Sequence, residues 1–272
     1  LTDYIHLNTM TISEQLITIQ QKNQSRLCVG LDTEIAKLPL ALKSKPESIY
    51  EFNKAIIEAT ANEVCAYKIN FAFYEQYGAE GMEALRKSLE CIPGNIITIA
   101  DAKRGDIGNT SRAYATSVFE EMDFDAITVS PYMGRDSIEP FMEYENKIVF
   151  ILALTSNPGS ADFQRLVSDG KPIYRHVVEK AHTWKSKSTL GFVVGATHPQ
   201  EVEEIRTYSS DSIFLIPGIG TQGGDASATM KANGNAPAIV NVSRAVLYAS
   251  NGIDFESKAH EQAQFYRKEI GM

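Results

Sequence analysis

The sequence predicts an α/β protein folded as a single (β/α)8 barrel, on three observations. Eight short apolar runs rich in β-branched residues recur along the chain, each is apolar on both faces, and segments of helical periodicity lie between them. Runs that are apolar on both faces read as parallel strands buried on both sides, not as half-exposed antiparallel ones. The intervals accommodate a strand plus a crossover helix, each crossover being taken as right-handed. A doubly wound open sheet is the rival arrangement, but eight such units favour closure into a TIM barrel.

In order, the runs are 27–31, 65–69, 96–100, 126–129, 148–154, 190–194, 213–216 and 238–242. The helical segments are 48–61, 79–89, 110–121, 173–186, 199–208 and 256–270, and Met10 precedes a further stretch that reads as a capped helix. No linker or compositional shift divides the chain, so residues 10–272 are read as one catalytic barrel. Because the first residue is Leu and Met10 precedes the capped helix, residues 1–9 are set apart as a cloning remnant, the remnant of a longer chain or a flexible N-terminal segment; the start also lacks the basic-then-apolar pattern of a secretory signal.

The net charge of −8 argues against sequence-independent binding to nucleic acid or to an anionic membrane. Any anionic substrate must therefore be held by a local cluster of donors. Cys28, Cys65 and Cys91 are widely spaced and odd in number, and two of them lie in apolar runs. They read as free thiols in a reducing, cytoplasmic setting rather than as a disulfide scaffold. The histidines form no i, i+4 pair and no cluster with cysteine, so no dedicated transition-metal site is expected. No apolar run reaches the roughly 20 residues of a membrane-spanning helix.

A barrel places chemistry at the carboxyl ends of its strands and in the loops that follow. Polar residues abut the runs at those ends: Asp32, Lys68, Asn70, Asp101, Lys103, Ser130, Thr155, Ser156, Gln222 and Arg244. The densest cluster follows the third run, as Asp101-Ala-Lys103-Arg104-Gly-Asp106. In extended chain Asp101 and Lys103 point the same way, and Gly105 permits a turn that returns Asp106. Taken alone, the motif could be a solvated loop with a surface ion pair, and Asp106 could simply cap the next helix. Lys68 and Asp32 shift the balance, because neighbouring runs deliver alternating charges to one rim. Flanking carboxylates keep a lysine protonated, and a fixed ammonium beside a reacting carbon can stabilise a carbanion and then protonate it.

After the seventh run comes Pro217-Gly-Ile-Gly-Thr-Gln222-Gly-Gly, and after the eighth Asn241-Val-Ser243-Arg244. In barrels these two loops frequently bind phosphate through backbone N–H groups. Arg244 adds a charged bidentate donor and Gln222 a neutral one. Gly218, Gly220 and Gly223 also spell the dinucleotide pattern G-x-G-x-x-G, yet that pattern should open a fold and should be followed about 20 residues later by an acidic residue, where Ser243 stands. A plain structural turn is the remaining alternative.

From about residue 26 to residue 250 the chain resembles the orotidine 5′-phosphate decarboxylase family, in its longer bacterial branch. The most specific element is Asp101-x-Lys103-Arg104-x-Asp106-Ile107-x-x-Thr110. Val29-Gly-Leu-Asp32, Lys68-x-Asn70, Leu154-Thr-Ser-Asn-Pro-Gly159, Pro217-Gly-Ile-Gly-Thr-Gln222 and Ser243-Arg244 support it. The resemblance implies cofactor-free conversion of orotidine 5′-monophosphate to UMP, the last step of pyrimidine biosynthesis, through a carbanion at pyrimidine C6. It makes Lys103 the proton donor, sets Asp101 against the leaving carboxylate, and completes the charge network with Lys68 and Asp106. It assigns Asp32 and Thr110 to the ribose hydroxyls, Ser156 to the pyrimidine, Gln222 and Arg244 to the phosphate, and further substrate contacts to Ile107 and Pro217. It also implies a homodimer in which Asp106 and Thr110 reach the partner's site. Ser243 stands where many members carry glycine.

Overall fold

The structure is a computed structural model that describes residues 10–43, 48–220 and 224–272. Its first part runs α1 (Ile12–Asn23), β1 (Leu27–Gly30), α2 (Leu40–Lys43), α3 (Ser48–Thr60), β2 (Ala66–Asn70), α4 (Ala72–Glu75), α5 (Gly78–Glu90) and β3 (Ile97–Arg104). There follow α6 (Gly108–Thr116), β4 (Ala126–Val129), α7 (Arg135–Met142), β5 (Ile148–Leu154), α8 (Ser160–Phe163), β6 (Val167–Ser168), β7 (Lys171–Pro172) and α9 (Ile173–Ala181). The last part is β8 (Thr189–Val194), α10 (Pro199–Arg206), β9 (Ile213–Ile216), α11 (Ala226–Asn233), β10 (Ala238–Val242), α12 (Arg244–Leu247) and α13 (Phe255–Ile270). Eight strands close in the order β1-β10-β9-β8-β5-β4-β3-β2, and β6 and β7 form a separate hairpin. The expected (β/α)8 barrel is the observed fold.

Two compact units make up the chain, one of residues up to Asp101 with Asn241–Met272, the other Ala102–Val240. In the first, Thr11 and Glu14 form a capping box that starts α1. The parallel register sets Gly30 opposite Lys68, Lys68 opposite Ile99 and Asn70 opposite Asp101. Phe52, Ile56, Tyr67 and Leu85 are fully buried in this unit, each large side chain stabilising it by about 2 kcal/mol through apolar area removed from water. Phe124, Phe141, Phe150, Phe192 and Phe214 do the same in the second.

Four of the eight predicted strands coincide with the observed ones: β4, β5, β9 and β10. β3 departs most, running to Arg104 where the apolar run stops at residue 100. Backbone pairing continues under the polar side chains, because ladder hydrogen bonds do not depend on side-chain polarity; Ser130 N–H still donates to the Arg104 carbonyl at 2.8 Å. Asp101 and Lys103 therefore stand on the strand, not in a loop after it.

Helices α7 and α11 and the β6–β7 hairpin have no counterpart among the expected elements. Pro140 inside α7 argues against a helix from sequence. α11 is a short run of small residues started by Asp225, whose Oδ1 accepts from Ala228 N–H at 2.9 Å. The hairpin turns on Asp169 and Gly170, both at positive φ (49° and 76°), the signature of a type I′ turn. His198 stands at the start of α10, and Cys28, Cys65 and Cys91 are free thiols, as expected. No helix among the described residues is long and apolar enough to cross a membrane.

Candidate active site

Three of the predicted residues meet at the ends of β1, β2 and β3. Lys68 is 4% exposed, and its Nζ donates to Asp101 Oδ2 at 3.0 Å. Asp32 Oδ1 lies 3.5 Å from the same nitrogen, so one buried ammonium stands between two carboxylates. The register explains this: Gly30 is opposite Lys68, Asp32 lies two residues beyond Gly30, and Asp101 two beyond Ile99. Burial alone would lower the Lys68 pKa. Asp101 and then Asp32 outweigh it, and the net shift is upward, so Lys68 stays charged.

Close packing at the end of β1 depends on glycine. A Cβ on Gly30 would stand 2.0 Å from Ser243 Oγ and 3.0 Å from Asn241 Oδ1. Asn241 Nδ2 donates to Ser243 Oγ at 3.2 Å, and Cys28 Sγ donates to Asn241 Oδ1 at 3.6 Å. Burial pushes the Cys28 thiol pKa up, which leaves it neutral. Arg244 follows Ser243 as the first residue of α12 and is exposed.

Lys103 is exposed, and its backbone N–H donates to Thr128 Oγ1 at 3.0 Å. Its φ is +47°, in the left-handed region. The expectation that extended chain aligns Asp101 and Lys103 is thus corrected, since the backbone is not extended at Lys103. A non-glycine residue here costs on the order of 1 kcal/mol or more and persists only where surroundings impose it. Arg104 stacks its guanidinium on the Tyr114 ring, 4.9 Å from the centroid. Asp106 Oδ1 accepts from the N–H of Ile107 at 2.8 Å. Ile107 itself is the N-cap of α6 and has no side-chain cap, so Asp106 does not hold the free N–H groups inside the helix. Ile107 and Thr110 are exposed.

Ser156 follows β5 and is half-buried. It packs against Gly195, where a Cβ would meet Ser156 N at 2.8 Å. The Pro217 carbonyl accepts from Ala196 N–H at 2.9 Å, Gly218 and Gly220 hold φ of 103° and 83°, and Gly224 N–H donates to the Gly218 carbonyl at 3.1 Å. Gln222 and Gly223 lie outside the described residues.

Tyr74, Tyr248 and Asn53 are not among the residues that the sequence singles out. All three bond to the loop that carries Asp32, as Tyr74 Oη donates to the Leu31 carbonyl, Tyr248 Oη to that of Asp32, and Asn53 Oδ1 accepts from Thr33 Oγ1. The signal for Tyr74 would have been a hydroxyl in an otherwise fully buried position, which composition does not distinguish from a phenyl ring.

Known proteins supply the wider frame. The sequence profile of the orotidine 5′-phosphate decarboxylase / HUMPS family matches residues 25–254. Orotidine 5′-phosphate decarboxylases of Flavobacterium johnsoniae and Dehalococcoides mccartyi are 46% and 48% identical to this chain over 269 residues. These alignments cover 97% and 96% of this chain and 97% of each relative. The solved OMP decarboxylase of Leishmania donovani superposes with a TM-score of 0.81 at 37% identity, covering 95% of this chain and 99% of that one. The UMP synthase of the same organism gives 0.85 at 38% identity; 96% of this chain is covered, which spans 57% of that longer protein. With a family profile matched over residues 25–254 and relatives 46% and 48% identical along nearly the whole of both chains, this protein belongs to the orotidine 5′-phosphate decarboxylase / HUMPS family.

Proposed function

We propose that this protein converts orotidine 5′-monophosphate to UMP without a cofactor, and that Lys103 supplies the proton. The observation that carries the proposal is the buried row Asp32–Lys68–Asp101, joined on β3 to a lysine held at positive φ. In the reaction the bond between C6 and the carboxylate carbon breaks, the electron pair stays on C6, and CO2 leaves. A proton from the Lys103 ammonium then passes to C6. A preorganised cation beside the developing carbanion lowers the barrier because no reorganisation is needed as charge appears.

Asp101, fixed by Lys68, faces the substrate carboxylate in this scheme. Two like charges 4 Å apart cost about 4 kcal/mol at an effective dielectric near 20, and that repulsion is relieved as CO2 departs. The stabilisation of the carbanion by Lys103 is assigned the larger share, because it acts on the transition state itself. Asp32 and Thr110 take the ribose hydroxyls, Ser156 and Ile107 the pyrimidine end, and Pro217, Gln222 and Arg244 the 5′-phosphate.

The same reading makes the working enzyme a homodimer, with Asp106 and Thr110 reaching into the partner's site. Exposure of Ile107 and Thr110 at the start of α6 supports it, as free buried thiols support a cytoplasmic setting. The test is an ultraviolet assay with orotidine 5′-monophosphate, with and without EDTA. Turnover that survives EDTA is expected. Turnover abolished by EDTA would replace this reading with a metal-dependent reaction, and folded protein inert toward this substrate but active on a keto-sugar phosphate would replace the substrate.

A further inference from the structure

Asp32 stands on a loop whose backbone is gripped from several sides. Leu31 N–H donates to the Lys68 carbonyl at 2.8 Å, and the Leu31 carbonyl accepts from Tyr74 Oη at 2.7 Å. One residue on, the Asp32 carbonyl accepts from Tyr248 Oη at 3.1 Å, and the same hydroxyl accepts from Glu34 N–H at 2.8 Å. Thr33 Oγ1 donates to Asn53 Oδ1 at 2.5 Å, and Asn53 Nδ2 in turn donates to Tyr74 Oη and Ser88 Oγ at 2.8 and 2.9 Å. The Asp32 side chain is aimed with less help. Its Oδ1 is buried and takes no hydrogen bond, 3.5 Å from Lys68 Nζ. An oxygen held by charge alone is placed by the backbone that bears it.

We propose that Tyr248, assisted by Tyr74, is a positioning residue that fixes Asp32 relative to Lys68 by clamping the backbone on either side of it. The inference rests on the role given to Asp32 in the proposed function. The Tyr248 ring is itself well anchored, stacking on Phe52 with 6.2 Å between centroids and 12° between planes. Burial pushes its phenol up to about 12, so it remains a neutral group that donates and accepts at once. Its own N–H donates to the Arg244 carbonyl at 3.1 Å, which ties the clamp to the helix that carries the arginine assigned to phosphate. Tyr248 touches no substrate atom in this scheme and acts through Asp32.

The test is a double-mutant cycle on the full chain, read as UMP affinity by calorimetry and as kcat/KM for orotidine 5′-monophosphate. Tyr248→Phe keeps the ring on Phe52 and removes two hydrogen bonds. It should weaken UMP binding and kcat/KM by about tenfold. In an Asp32→Ala background the same substitution should change neither. Unaltered UMP affinity in Tyr248→Phe, or effects that add in the double variant, would overturn the proposal. Should Tyr248→Phe fail to fold, the cycle is run with Tyr74→Phe, which removes the clamp on the Leu31 side. The failures are distinguishable: a wrong functional reading appears as wild-type protein inert toward orotidine 5′-monophosphate, a wrong positioning role as additivity in the UMP cycle.

Discussion

Lys68 Nζ and Asp101 Oδ2 are 3.0 Å apart, in a pair whose lysine is 4% exposed and whose aspartate is 9% exposed. Such a pair is strong only with a second partner for the ammonium, because desolvating two ions costs several kcal/mol each. Asp32 is that partner. Lys68 and Asp101 lie on β2 and β3 and Asp32 lies two residues beyond β1, so their alignment reports the register of these three strands together.

Removing the lysine leaves two buried carboxylates facing each other. Lys68→Met is expected to lower stability by about 3 to 5 kcal/mol at pH 7, measured by urea denaturation. Because the folded Lys68 pKa is raised, its contribution is present in full below the ordinary lysine value of 10.5 and is lost as pH rises through the folded value above it. The stability gap between wild type and Lys68→Met should therefore be constant from about pH 7 to 10 and narrow only above that. A gap that shrinks already between pH 7 and 9 would contradict the assignment.

Lys103 is exposed and stands in the left-handed region, as a group presented to a ligand would be. Lys103→Ala should reduce kcat by at least about 10⁴, combining general-acid and electrostatic losses. UMP has no developing charge at C6, so its dissociation constant should move by less than about threefold. Stopped-flow turnover and calorimetric UMP titration check the two halves, and near-normal kcat would remove Lys103 from the mechanism.

Gly30 admits the Ser243 side chain across the end of β1. Gly30→Ala is expected to destabilise the fold by about 1 to 3 kcal/mol, since Cβ and Oγ would stand 2.0 Å apart. Adding Ser243→Gly should return much of that loss. Melting temperatures of the two single variants and the double variant read this directly, and equal melting of Gly30→Ala with and without Ser243→Gly would show that the contact relaxes elsewhere.

A shared site predicts complementation. Asp101→Ala and Asp106→Ala, each inactive alone, should regain about a quarter of wild-type activity when mixed in equal amounts and allowed to exchange subunits, because half the dimers are then mixed and each carries one intact site. Mass spectrometry of differently tagged chains confirms exchange. Absence of recovery after exchange would place Asp106 in its own protomer's site.

The strands were legible because burial on both faces makes most positions within them apolar, and the charges toward their carboxyl ends stand out against that background. Asp32, Lys68 and Asp101 could be assigned to one rim for this reason. The end of β3 was not legible, since nothing in Asp101-Ala-Lys103-Arg104 is apolar although the ladder continues through it. Positive φ at Lys103 leaves no trace in composition, lysine being ordinary in any conformation. Pro140 hid α7 by opposing it. The clamp on Asp32 was invisible because Tyr74 sits among aromatics that pack, and its function resides in one oxygen.

The backbone conformation of Lys103 sets two requirements against each other at a single position. Glycine adopts φ near +47° without the Cβ penalty that lysine bears there, a difference of about 1 kcal/mol. A Lys103→Gly protein should thus melt above its parent while doing no chemistry. Were heat tolerance the only demand on this position, glycine would meet it better than lysine does.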